Sequence, residues 1–126
     1  MGRKESVEKG ARKHGLLEDG ESIQEAIVVN GGKLVGLGLD AVWTKRFALA
    51  ATETNFYVLE MGQVGFKSVK GVVTKMPLGE VEFDKSFAEF KVARRGHPEE
   101  GAASFQLALL VSAKKLTEYV ESRRAG

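Results

Sequence analysis

Apolar and polar positions alternate with a period of two along most of the chain, and a helical period replaces it only near the end. The centre is Lys45 to Met61. Two apolar runs, Phe47–Ala51 and Phe56–Leu59, flank the polar joint Thr52-Glu53-Thr54-Asn55. Successive strand side chains point to opposite faces, so Phe47, Leu49 and Ala51 share one face of the first run. Tyr57, Leu59 and Met61 share one face of the second. A four-residue polar link between such runs predicts an antiparallel hairpin at the centre of a β-rich core.

Further strands follow from the same alternation. Ser22 to Asn30 ends in a β-branched run closed by Asn30-Gly31-Gly32. Gly62 to Met76 forms a broken strand, which Pro77 ends because it cannot donate to a ladder. Val81 and Phe83 alternate with Glu80, Glu82 and Asp84, and Ala88, Phe90 and Val92 with Glu89, Lys91 and Ala93. After the charged turn His97–Gly101, Phe105, Leu107, Leu109 and Val111 alternate with Gln106, Ala108 and Leu110. Ala113, Leu116, Tyr119 and Val120 then recur at helical spacing behind Ser112 as N-cap, predicting an amphipathic C-terminal helix. About seven strands and one helix must close on themselves or fold into two layers, with the helix over one open end.

The 126 residues suit one domain with a basic arm at residues 1–15, frayed or docked, ahead of a folded body at 16–126. Val7 and Ala11 leave a short helix open in the arm, on a thin apolar stripe. The net charge of +2 conceals an asymmetry: residues 1–14 hold five basic side chains against two acidic, and the remainder fourteen against fifteen. A nearly neutral body argues against a nucleic-acid domain, which gathers Lys and Arg on one face. The absence of cysteine excludes disulfides and thiolate metal sites, and two histidines far apart make no metal cluster. No cofactor or metal is expected. The charged start is not followed by an apolar signal core, and no apolar run is long enough for a membrane helix. The expected setting is the cytoplasm.

Three local patterns, in this order of elements, resemble the bacterial pleckstrin-homology-like (PH-like) domains. Leu16-Leu17-Glu18-Asp19-Gly20-Glu21 is similar to their "LL-x-x-G-E" lead-in. Arg46 to Leu59 is similar to their "R-x-x-x-x-T-x-x-x-x-Y-V-L" hairpin, and Met76-Pro77-Leu78-Gly79-Glu80-Val81 to their "P-L-x-x-I" junction. The match spans roughly residues 16–122 and departs from the family at the hairpin turn, where Thr-Glu-Thr-Asn stands for "T-D-x-R". The resemblance implies a mainly β fold: a seven-stranded antiparallel sandwich or barrel of two nearly orthogonal sheets, capped by a C-terminal α-helix. It also implies binding of lipids, peptides or other copies, without catalysis.

The candidate binding patch is residues 31–46. Its 31–43 stretch carries four glycines among Leu34, Val35, Leu37, Leu39, Val42 and Trp43, and suits neither a stable helix nor a regular strand. Three readings stand: the segment folds back as core, it meets a protein surface or a second copy, or it touches an anionic membrane aided by the basic arm. The last would place the protein at the inner face of the membrane. Specific inositide binding asks for cations at alternate strand positions, whereas Lys45 and Arg46 are adjacent and face opposite sides, leaving Lys33 to reach in alone. The leading reading is a protein contact or self-association through Lys33, Leu37, Leu39, Trp43, Lys45 and Arg46.

Enzymatic signatures are weak. Gly36-Leu37-Gly38 lacks the following helix that a pyrophosphate needs. Ser104, His97 and Glu99 make a triad by residue type only, without a nucleophile elbow. The carboxylates Glu80, Glu82 and Asp84 read more simply as a solvated face paired to Lys or Arg of a neighbouring strand than as a cation site.

Overall fold

A computed structural model describes residues 3–31, 46–61, 69–86, 89–97, 99, 102–106 and 113–125. In chain order these form α1 (Arg3–Lys13), β1 (Glu25–Gly31), β2 (Arg46–Ala51), β3 (Asn55–Met61), β4 (Val69–Pro77), a 3₁₀ turn (Leu78–Glu80), β5 (Val81–Ser86), β6 (Glu89–Arg94), β7 (Ala102–Gln106) and α2 (Lys114–Ala125). Neighbouring strands are antiparallel, in the order β4-β3-β2-β1-β7-β6-β5. Among the described residues β1 meets β7 through only Asn30–Gln106 and Gly31–Phe105, whereas β1 and β2 share six pairs. That narrow seam divides the strands into two sheets, β4-β3-β2-β1 and β7-β6-β5.

The sheets face one another across one interior. Leu49, Phe56, Val58 and Met76 from the first meet Val81, Phe90, Val92 and Phe105 from the second. Phe47 and Phe105 meet edge-on at 5.7 Å, and Phe83 stacks on Phe90 at 5.1 Å. Helix α2 caps this interior with Ala113, Leu116 and Val120, all buried. Its apolar spacing and its place at the end match the sequence reading. Ser112 and residues 107–111 lie outside the described residues.

The central hairpin forms as expected, with Ala48 opposite Leu59 and Ala50 opposite Tyr57. The two sets read from alternation fall on opposite faces: Phe47, Leu49 and Ala51 point between the sheets, whereas Tyr57, Leu59 and Met61 point away. Alternate burial therefore does not hold in β2 and β3. Phe47 to Ala51 is buried without a break, and so is Phe56 to Leu59. The reason is α1. Val7 and Ala11 are 1% and 0% exposed because they seat on Ala48, Ala50, Tyr57, Leu59 and Met61, a second apolar cluster on the outer side.

The arm is thus a docked helix. Glu5 in its first turn and Arg12 and Lys13 in its last suit the helix dipole. Gly15, at φ +65°, ends it in a conformation that favours glycine, while the Leu16 N–H returns to the Ala11 carbonyl at 2.9 Å. Strand β1 begins three residues later than the sequence indicates because the preceding backbone is engaged elsewhere. The Ser22 N–H donates to the Glu53 carboxylate at 2.9 Å, and the Ile23 N–H to that of Glu8 at 2.7 Å.

Candidate functional site

The first sheet has two ends of different character. At one end β1 stops at Gly31 and β2 starts at Arg46, with Asn30 and Arg46 directly paired. The described residues that flank 32–45 are therefore held side by side. Arg46 is half-buried and also faces Met61 of β3. Of the residues singled out for binding, Arg46 alone is described. Lys33, Leu37, Leu39, Trp43 and Lys45 lie outside the described residues.

At the other end, about 17 Å along the ladder at ~3.4 Å per residue, lies a polar corner that the sequence reading missed. Glu21, 5% exposed, is its hub. One carboxylate oxygen accepts the Tyr57 hydroxyl at 2.5 Å and the Glu18 N–H at 2.9 Å. The other accepts the Thr52 hydroxyl at 2.5 Å and the Asn55 amide at 3.0 Å. Burial by itself would raise the Glu21 pKa. The donors from Thr52, Tyr57, Asn55 and Glu18 outweigh it and hold the carboxyl at about 2. The same burial, with the Glu21 charge beside it, pushes the Tyr57 hydroxyl well above its usual range. This couple stays ionised on one side and protonated on the other across neutral pH. A general acid or base needs a pKa near the working pH, and Glu21 is shifted the wrong way.

The Thr52–Asn55 joint that departs from the family turn is where the other elements converge. The Thr52 N–H closes the turn on the Asn55 carbonyl at 2.9 Å, and Leu78 donates to the Thr54 carbonyl at 3.1 Å. Tyr119 of α2 donates to the Thr52 carbonyl at 3.2 Å, and Arg123 to that of Glu53 at 3.3 Å. All three sequence patterns that carried the family resemblance meet here: Glu21 from the lead-in, Thr52 and Tyr57 from the hairpin, Pro77-Leu78 from the junction. The signal was present as a coincidence of motifs, but nothing in the sequence alone joins Glu21 to Tyr57.

An open depression of about 210 Å³ beside this corner is lined by Glu18, Asp19, Gly20, Glu21, Glu53 and Thr54. Its carboxylates are mostly engaged within the protein. Glu18 pairs with Lys75 at 2.5 Å and accepts from Asn55, and Glu53 accepts from Ser22. Among the described residues no group of three metal-ligating side chains forms.

The other sequence candidates resolve into structural pairs. Glu80 lies in the 3₁₀ turn rather than on the strand, 3.1 Å from Arg94, and Glu82 is 2.8 Å from Arg95. Hydrogen bonding to Arg94 holds the Glu80 carboxyl below its ordinary range. His97 sets its two ring nitrogens against Glu80 at 3.4 Å and Glu99 at 3.2 Å. The ring thus has a carboxylate at each nitrogen, and Ser104 is buried on β7 opposite Lys91.

No family model matches the sequence, and no curated protein does. Solved structures do. The hSac2 domain of the human phosphoinositide phosphatase Sac2 superposes with a TM-score of 0.59 at 12% identity, over 99% of this chain and 84% of that one. A pleckstrin homology domain from Shewanella amazonensis superposes with a TM-score of 0.50 at 16% identity, over 94% and 96%. The fold is PH-like. No helix among the described residues is long and apolar enough to cross a membrane.

Proposed function

We propose that the protein is a non-catalytic binding module that meets a protein surface, a second copy of itself included, through residues 31–46. The observation that carries this reading is the contrast between the two ends of the first sheet. At the Glu21 corner the polar groups are consumed by one another, and among the described residues no buried side-chain polar atom lacks a partner. At the far end the ladder pairs Asn30 with Arg46, described residues at the two ends of the proposed binding segment. That segment carries Leu37, Leu39 and Trp43, the residue types that anchor protein interfaces, between the cations Lys33, Lys45 and Arg46.

Light scattering of the wild-type protein beside Trp43→Asp tests self-association. A fall in mass with an unchanged circular-dichroism spectrum supports it, and an unchanged mass with the fold intact removes it. Loss of the fold would place Trp43 in the core and withdraw the whole patch.

The rival reading, an anionic membrane surface, is favoured by one observation: Lys9, Lys13 and His14 are exposed on and after α1. Deleting residues 1–14 is not a clean test, because it also strips Val7 and Ala11 from the outer face of the first sheet. The double variant Lys9→Gln/Lys13→Gln removes charge and keeps the helix. Cosedimentation with phosphatidylserine vesicles that falls with salt and in this variant would favour the membrane; no binding to the vesicles would end that reading.

A further inference from the structure

Among the described residues, the interior between the sheets contains none of α1, and the cluster beneath α1 contains none of α2 or of the second sheet. The described residues therefore form two apolar cores on opposite faces of the first sheet, and the outer one is covered by the short helix α1 together with Leu16, Leu17 and Ile23 of the lead-in. That helix is lightly held. Of its described side chains only Val7 and Ala11 are buried, and Gly10 interrupts its middle. Its side-chain tethers all run to one short stretch of the lead-in: Glu8 to the Ile23 N–H at 2.7 Å, Arg12 to the Glu21 carbonyl at 2.6 Å and to the Ser22 hydroxyl at 3.3 Å. An isolated helix of this length is marginal in water, so α1 persists only while it is docked.

A glycine in the left-handed region, Gly15, follows directly. Beyond it Leu16, Leu17 and Ile23 pack on the same cluster, and Glu21 is fixed by its own bonds to Thr52, Tyr57 and Asn55. Lifting α1 breaks none of those bonds and no contact between the sheets.

We propose that α1 is a hinged cover that opens at Gly15 and uncovers the platform of Ala48, Ala50, Leu59 and Met61 while the interior between the sheets stays closed. The opening is a local unfolding event of lower free energy than global unfolding. It stands apart from the binding role of residues 31–46, which it neither needs nor tests.

Adjacent alanines on β2 give a direct measurement. Ala50 lies under α1, Ala51 lies between the sheets, and both are 0% exposed. The chain has no cysteine, so Ala50→Cys and Ala51→Cys each place a unique thiol in otherwise full-length protein. Under native conditions a thiol reagent should modify position 50 at least ten-fold faster than position 51. Adding Val7→Asp should raise the rate at position 50 a further ten-fold or more and leave position 51 unchanged. Equal rates at the two positions, or a Val7→Asp effect of the same size at both, would show that α1 leaves only when the whole domain unfolds and would overturn the proposal. Ala48→Cys, on the same face as Ala50, is the second reporter should Ala50→Cys fail to fold, and the same ratios apply to it.

Discussion

The two sheets are built from differently patterned strands, and the difference follows what lies behind each. In the second sheet Val81 and Phe83 turn inward while Glu82 and Asp84 face out, and one buried face is enough to account for the pattern. In the first sheet β2 runs, after Arg46, Phe-Ala-Leu-Ala-Ala without a polar residue, and every one of these five is buried. A strand with no polar side requires cover on both faces. Here α2 and the second sheet lie on one side and α1 on the other. The size of the side chains records which side is which. The interior face of β2 carries Phe47 and Leu49, whereas the outer face carries Ala48 and Ala50, a shallow shelf on which a helix can rest closely.

One substitution made at three alanines can break or sharpen this contrast, with one carboxylate between them. Ala51→Lys puts an unpaired charge between the sheets and should cost more than about 4 kcal/mol, enough to leave much of the protein unfolded by urea titration. Glu21→Gln comes next. It leaves a neutral amide among donors arranged for a carboxylate and should cost about 3 kcal/mol at neutral pH.

The sign of the pH dependence follows from the depressed pKa. Glu21 titrates at about 2 in the folded protein against an ordinary 4.5. Its contribution is therefore complete above about pH 5 and is lost as the pH falls toward 2. Urea midpoints of the wild type should decline across that window, and the Glu21→Gln protein should lack that part of the decline. A parallel decline in both would show that the corner is not what acid dissolves.

Smaller effects follow on the outer faces. Ala50→Lys meets a cover rather than the interior, so its cost should stop at about 2 kcal/mol, the apolar burial lost when Val7 and Ala11 leave the sheet. A cost equal to that of Ala51→Lys would erase the distinction between the two cores. Ala93→Lys, on β6 beside Glu82, should stay within about 0.5 kcal/mol, as surface changes do. A larger loss there would mean that the second sheet also has a covered outer face.

The sequence showed β5 and β6 clearly because alternation with charged residues reports a single solvated face, whereas β7 starts at Ala102, ahead of the alternation read from Phe105, and residues 107–111 of that reading lie outside the described residues. It showed α2 because Ala113, Leu116 and Val120 keep helical spacing. It left the arm open between frayed and docked. Val7 and Ala11 make too thin a stripe to announce a packed helix, and the matching half of the signal lay forty residues away in the missing polar positions of β2 and β3. The Glu21 corner was invisible for a related reason. A glutamate in an acidic turn looks solvated until Tyr57 and Thr52 are brought to it by the fold. Of the binding patch, the structure supplies the base at Arg46 and the register that sets it opposite Asn30. Lys33, Leu37, Leu39, Trp43 and Lys45 lie outside the described residues, so those five stay a reading of residue type.

The Asn30–Arg46 rung has a consequence for how such a chain can change over time. The two main chains on either side of it are about 5 Å apart, and each is also held from its other side, Asn30 by Gln106 of β7 and Arg46 by Met61 of β3. If the proposed binding role holds, the stretch that bridges that gap can change in length and character while the hydroxyl-and-carboxylate knot at the far end goes on enforcing the same scaffold. On that reading specificity drifts at one pole of the molecule without taxing foldability at the other.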